Sequence, residues 1–338
     1  MSTPPSLCNL PNELAISIFN RVGLKSIQNL RKVCRDLRNR IDDIKPEANL
    51  SYVYIEITDD RTVILYQSQI QTLDEEKSEA YTWVEYKKTV ESERCIVRSD
   101  RSEKSVNGDI VELASRDLQL ILKFQKKIMK TIEFTNRTES SNNFLQFLKN
   151  LKSFLRLENR LLKVDRCFIK TNDQKSVITA LSLIDPQTIN AITFFDRIGG
   201  ILPMDIAEIM EMEQWKNAKH FISHFIITGV SAHNFHHFAR IVWSFLSISA
   251  EYLLDLKKIF ENSTKADMFD IRYKTFEDRE QFFEKMGPPV TVHDKFKWFF
   301  RMSTTDEYVL RIRLGNERIT FGRCPVHLIP ENVVIQNE

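Results

Sequence analysis

The chain has 338 residues, which is enough for two or three folded units rather than one small domain. Hydrophobic residues make up 42% and charged residues 28%, the balance of a globular protein, and 23 phenylalanines supply bulk for a large core. With 48 basic residues against 46 acidic ones, nothing marks a dedicated nucleic-acid binder; no run of about 18 apolar residues marks a membrane span, and the N-terminus lacks the basic-then-apolar pattern of a secretory signal.

Residues 1–9 carry two prolines and small polar groups, and read as a flexible tail. Pro11 suits the first turn of a helix, where its missing N–H would lack a partner anyway. Leu14, Ile18 and Val22 fall four apart, with Ala15 and Phe19 beside them on one broad apolar face. Gly23 is placed for a left-handed stop, and Ser26 for the cap of a second helix. That helix is expected to run through Ile27, Leu30, Val33 or Cys34, Leu37, Ile41 and Ile44, until Pro46 ends the pattern. Arg31, Lys32, Arg35, Arg38 and Arg40 occupy much of its other face. A unit of about 35 residues is too small to be stable alone, so its apolar surface needs the rest of the chain or a partner to cover it.

Two motifs in this stretch, Leu10-Pro11-x-Glu13-Leu14 and Leu30-Arg31-x-Val33-Cys34-Arg35-x-Leu37-Arg38, resemble in order and separation an F-box, here over residues 10–46. The chain departs from the usual pattern at Lys25-Ser26-Ile27, where an acidic residue and leucine are common, and at Val22, where leucine is usual. The resemblance implies that Leu10, Pro11, Leu14, Ile18, Leu30, Val33 and Cys34 dock on a Skp-family adaptor, and through it on a cullin–RING ubiquitin ligase.

Beyond Pro46, the runs Tyr52–Thr58 and Thr62–Tyr66 flank Asp59-Asp60-Arg61 and read as a β-hairpin. A second pair, Tyr81–Tyr86 and Arg94–Val97, follows, so residues 50–105 form an antiparallel β connector. A helical period returns after Asn107-Gly108 with Val111, Ala114, Leu118, Ile121, Leu122 and Ile128. Strands are then expected at Thr131–Phe134, Val164–Ile169, Ala191–Phe195 and His220–Thr228. Helices fall between or after them at Asn143–Leu157, Gln174–Ile184, Met204–Trp215 and Asn234–Phe245. A further helix, Glu251–Asn262, a strand, Met268–Tyr273, and a helix, Glu277–Met286, lead to Gly287-Pro288-Pro289. The end of the chain reads as β, with Gly315-Asn316 suited to a tight hairpin between Tyr308–Leu314 and Arg318–Phe321.

One strand and one helix per step, at an irregular spacing of roughly 26 to 35 residues, imply a curved solenoid of the leucine-rich-repeat kind. The fold class is therefore α/β: a small all-α F-box, a β-hairpin-containing connector, and an irregular leucine-rich-repeat-like strand–helix solenoid with a β-hairpin C-terminal cap. This alternation, the Leu183-Ile184-Asp185-Pro186 step and the strand-rich ending resemble the FTH domain of the nematode F-box A family, over residues 110–330. The resemblance implies a substrate-binding body for a ubiquitin ligase, with no substrate named.

The residues with chemical potential favour plainer readings. His233 and His237 are four apart and could share a helical face as zinc ligands do, but there is no HExxH and no third ligand at a convincing spacing. Cys34, on the apolar side of its expected helix, reads as a small packing residue rather than a nucleophile. The five cysteines are scattered without a CxxC pair, which fits buried free thiols. Lys123, Lys126, Lys127 and Lys130 form a basic cluster at a helix end, read as a solvated face in preference to a contact for an acidic partner or an RNA backbone. Gly199-Gly200 reads as a strand-to-helix turn. The sequons at Asn136 and Asn262 carry no consequence in a cytoplasmic or nuclear chain.

These readings lead to a non-enzymatic adaptor without cofactor or metal, which joins a Skp-family adaptor to an unknown protein substrate. Two other outcomes stay open: a ligase-independent protein-binding solenoid scaffold, which could associate with ribonucleoprotein, and a metal enzyme built on His233 and His237.

Overall fold

Pro11, with no N–H to leave unsatisfied, precedes the first helix of the computed structural model, α1 (Asn12–Arg21). Two more short helices follow, α2 (Leu24–Leu30) and α3 (Arg35–Ile44). The structure describes residues 7–70, 78–89, 94–99, 102–140, 142–196, 203–292, 295–330 and 333–336. They fall into two units, which divide between Thr188 and Ile189.

The single helix expected from Ser26 to Ile44 is in fact two. Residues 31–34 turn, and Cys34 stands in extended conformation (φ −155°) as the cap of α3, its Sγ accepting a hydrogen bond from the Leu37 N–H at 3.4 Å. Gly23 is also extended (φ −63°) and starts α2, so Ser26 lies inside that helix rather than at its cap. The left-handed stop comes later, at Lys45 (φ 48°), just ahead of Pro46. Hydrophobic period reports which side chains face inward, and Ile27, Leu37 and Ile41 do. A turn that preserves the face leaves no mark on the period.

These helices are tied to the strands that follow them. The Ala48 N–H bonds the Phe124 carbonyl at 2.9 Å, and Asn20 Oδ1 accepts from the Glu47 N–H at 3.1 Å. Glu47 in turn accepts from the Lys126 N–H at 3.1 Å, and the Arg31 guanidinium lies 5.6 Å from the centre of the Phe124 ring. Gln125, almost fully buried, accepts from the Leu50 N–H at 2.8 Å and donates to the Lys127 carbonyl at 2.9 Å.

The first unit continues with five strands: β1 (Leu50–Ile57), β2 (Arg61–Ile70), β3 (Ser78–Lys88), β4 (Arg94–Ser99) and β5 (Ser102–Asn107). Each pairs antiparallel with the next. The two expected hairpins are present, and β5 is an additional strand whose residues, Ser102-Glu-Lys-Ser-Val-Asn107, carry almost no apolar signal. Asp109 caps α4 (Ile110–Leu122), its carboxylate accepting from the Val111 and Glu112 N–H groups. Then come β6 (Met129–Asn136), α5 (Asn142–Leu157), β7 (Val164–Lys170) and α6 (Gln174–Leu181). Strand β6 lies parallel between β1 and β7, so the connector shares a sheet with the body that follows it. Parallel pairing requires crossovers, and α5 provides one from β6 to β7.

In the second unit the elements run β8 (Ala191–Phe195), β9 (Pro203–Asp205), α7 (Ala207–Met210), α8 (Glu213–Asn217), β10 (His220–Thr228) and β11 (Arg240–Ile248). They continue with α9 (Ala250–Glu261), β12 (Met268–Phe276), α10 (Arg279–Met286), β13 (Val290–Val292), β14 (Lys295–Met302), β15 (Thr305–Leu314) and β16 (Arg318–Pro325). Strands β8, β10, β11 and β12 are parallel neighbours in that order. Antiparallel β16, β15, β14 and β13 extend the sheet from β12.

Two expected helices are corrected here. Residues 234–245 hold a short 3-10 turn (Ala232–Phe235) and then strand β11. Phe235 and Phe238 face the core from the turn, while Ile241 and Trp243 enter it by strand alternation, and together these mimic a helical period. Residues 204–215 break into β9 and two short helices around the buried Trp215. The expected turn at Gly199-Gly200 lies outside the described residues.

Replacing Gln125 with alanine strands the buried Leu50 N–H. Urea denaturation should show a loss of about 1–3 kcal/mol.

Candidate functional site

Helix α1 is apolar around more of its circumference than its neighbours can cover. Ala15 and Phe19 are fully buried, together with Leu24 and Ile27 of α2 and Leu37 and Ile41 of α3. Leu14 and Ile18, one turn apart and therefore one above the other, point away from that core with 54% and 38% of their surface exposed. Pro11 is exposed at the start of the helix, and Leu10 is half-buried. Ile16, on another side of the helix, is 41% exposed.

The turn between α2 and α3 is exposed as well. Val33 is 70% exposed, Cys34 is exposed at its cap position, and Leu30 is half-buried. Polar contacts hold the turn in place: Arg31 pairs with Asp42 at 2.9 Å, and Arg38 Nε donates to the Arg31 carbonyl at 2.9 Å. Arg40 donates from α3 to the carbonyls of Cys8 and Leu10, which fastens the 3-10 turn Leu7–Asn9 that the sequence reading assigned to a flexible tail. The N-terminal helices thus present exposed apolar side chains on a backbone fixed by hydrogen bonds.

Comparison with known proteins agrees with this geometry. The F-box domain model matches residues 7–48, and the FTH domain model matches residues 145–285. The chain carries an F-box domain and an FTH domain. It is similar to F-box A protein 224 of Caenorhabditis elegans, 24% identical over 276 residues. The match takes in 78% of this chain and 65% of that protein, less than two thirds of the relative's length. No solved structure matches the chain.

Of the residues that the resemblance assigned to docking, Pro11, Leu14, Ile18, Val33 and Cys34 reach the surface of the F-box, while Leu10 and Leu30 are half-buried. Leu7 and Ile16 were missed, although both are exposed apolar residues of the same unit. Ile16 had a readable signal: it is apolar on the side of α1 away from Leu14 and Ile18, flanking the Phe19 face. Cys34 corrects the sequence reading twice, since it is neither within a helix nor buried. Cys95, Cys167 and Cys324 are the buried thiols, and burial alone pushes Cys167 far above the ordinary thiol range.

The histidines do not share a helix. His237 Nε2 donates to the Trp215 carbonyl at 3.0 Å, and its ring lies against Phe238. Burial holds His237 below the usual imidazole range, with the Trp215 contact opposing that shift. Among the described residues, no group of three or more His, Cys, Asp or Glu side chains could hold a metal ion. Of the lysine cluster, Lys123 follows the end of α4, and Lys127 donates to Asn49 Oδ1 at 3.1 Å. The sequon residue Asn136 is buried, and its side chain accepts from the Thr138 N–H at 2.9 Å and hydroxyl at 2.7 Å, so it organises the end of β6.

This division between inside and outside is open to measurement. Phe19→Ala should lower stability by about 3–5 kcal/mol. Leu14→Ala and Ile18→Ala, each only partly covered, should cost about 1 kcal/mol or less in the same denaturation experiment.

Proposed function

We propose that this chain is the substrate-recognition subunit of a Skp–cullin–F-box ubiquitin ligase. The F-box docks a Skp-family adaptor, which joins the chain to a cullin–RING ligase, and the strand–helix body holds a protein substrate. The observation that carries this reading is the outward row of Leu14 and Ile18, with Val33 also exposed at the turn between α2 and α3, on helices whose own core is already filled by Ala15, Phe19, Leu37 and Ile41. A surface of this kind suits a protein partner that supplies the missing apolar cover.

The body acts as a leucine-rich-repeat-like solenoid, a reading supported by the alternation of parallel strands with helices in each unit. The chain performs no bond chemistry. It raises the local concentration of substrate near the ubiquitin-loaded enzyme, which makes an encounter between two molecules effectively intramolecular. Its place of action is the cytoplasm or nucleus, where such ligases work.

Capture of a purified Skp-family adaptor by the wild-type chain, beside a Leu14→Ala/Ile18→Ala variant, tests the proposal. About half of each side chain is still exposed, so burying the remainder contributes on the order of 1 kcal/mol per residue. The variant should therefore bind about tenfold to a hundredfold more weakly. No capture by a folded wild type would remove the ligase reading and leave a protein-binding scaffold capped by F-box-like helices.

A further inference from the structure

The second unit carries a concentration of positive charge that its own fold uses only in part. Strands β14, β15 and β16 send Trp298, Phe300, Ile312, Leu314, Ile319 and Phe321 to the core. The alternate positions face the other way. There, Lys297 of β14 stands directly opposite Arg313 of β15, and Arg313 is opposite Thr320 of β16. One strand further, Arg318 of β16 is opposite Arg272 of β12. Like charges directly opposite on neighbouring strands destabilise a sheet, and here two such pairs stand close together.

Only part of this charge is balanced. Asp270, almost fully buried, receives both Arg318 Nε at 2.7 Å and Arg318 Nη2 at 2.6 Å, a two-pronged contact that fixes the guanidinium in place. Among the described residues, no carboxylate pairs with Lys295, Lys297 or Arg313. Burial and the neighbouring Arg311 hold Arg313 below the usual guanidinium range, as expected where cations are crowded. Lys295, Lys297, Arg313 and Arg318 line an open concavity of about 650 Å³, together with Thr320 and the Gly315-Asn316 turn.

We propose that this concavity binds an acidic, extended segment of the protein that the chain recruits. The inference rests on the substrate-receptor reading and names the chemistry of its ligand. A chain laid across the strands meets Lys297 and Arg313 about 4.8 Å apart, then Arg318 one strand further and two residues along from the position opposite Arg313, and can place Asp or Glu side chains against them. A nucleic acid fits less well. Among the described residues, no aromatic side chain lines the concavity to stack a base, and the net charge of the chain is only +2.

The test uses the full chain and a short fluorescein-labelled peptide alternating Glu and Thr, followed by fluorescence anisotropy. The wild type should bind it, and Lys297→Glu/Arg313→Glu should weaken binding by about tenfold or more. Lys297→Gln/Arg313→Gln should also lose the peptide while melting at or above the wild-type temperature, because it removes a repelling pair. Both variants should capture the Skp-family adaptor as the wild type does. Failure of adaptor capture by the wild type would count against the ligase reading alone, since peptide binding is read separately. The proposal is overturned if the wild type does not bind the peptide or if the charge-reversed variant binds it equally well. Tighter binding of a polyuridine of equal charge would also overturn it. So would a glutamine variant that melts well below the wild type, because the cations would then serve the fold.

Discussion

The F-box is shaped by a mismatch between the apolar width of α1 and the cover available to it. Two short helices can bury a single stripe of a third, and Ala15 and Phe19 fill that stripe. Leu14, Ile16 and Ile18 remain outside it. An isolated unit of this size would be marginal and prone to associate through such surface. Here the polar links from Asn20 through Glu47 to the Lys126 backbone, and from Gln125 to Leu50, connect the helices to a sheet with a large core of its own. The exposed row is therefore held in position without having to be buried.

The same separation of duties recurs in the second unit. The inward faces of β14 to β16 are built of large apolar residues, with Trp298 fully buried and its indole N–H donating to the Gly287 carbonyl at 2.9 Å. Ile329, Val333 and Ile335 pack over Phe299, Val309 and Cys324, and Gln336 exchanges backbone hydrogen bonds with Phe299 and Arg301. With the core and this end of the sheet satisfied, the outward positions are free to set Lys297 opposite Arg313, a like-charge pairing that a sheet disfavours. Local rules are often broken in this way where a surface serves something other than stability.

Much of this architecture was legible in the sequence. Strands such as Ala191–Phe195 and His220–Thr228 are short apolar runs rich in isoleucine and phenylalanine, and they occur where the sequence places them. The F-box motifs were equally readable, because Leu10-Pro11 and the Val33-Cys34-Arg35 step are local signals. Features that depend on geometry between residues were not. Residues 234–245 have a helical period only because a turn and a strand happen to bury side chains in succession. The break at residues 31–34 keeps its hydrophobic face, and so hides from any periodicity. Nor could the sequence reveal that Lys297 opposes Arg313, since register is settled by the packing of the whole sheet.

The central claim is that the outward row of the F-box, rather than its core, meets the Skp-family adaptor. Hydroxyl-radical footprinting of the chain alone and with purified adaptor reads this at single side chains. The account predicts that Leu14, Ile18 and Val33 become protected when the adaptor is present, while Ala15 and Phe19 are protected in both samples. Adaptor binding that leaves Leu14, Ile18 and Val33 as reactive as before would contradict it.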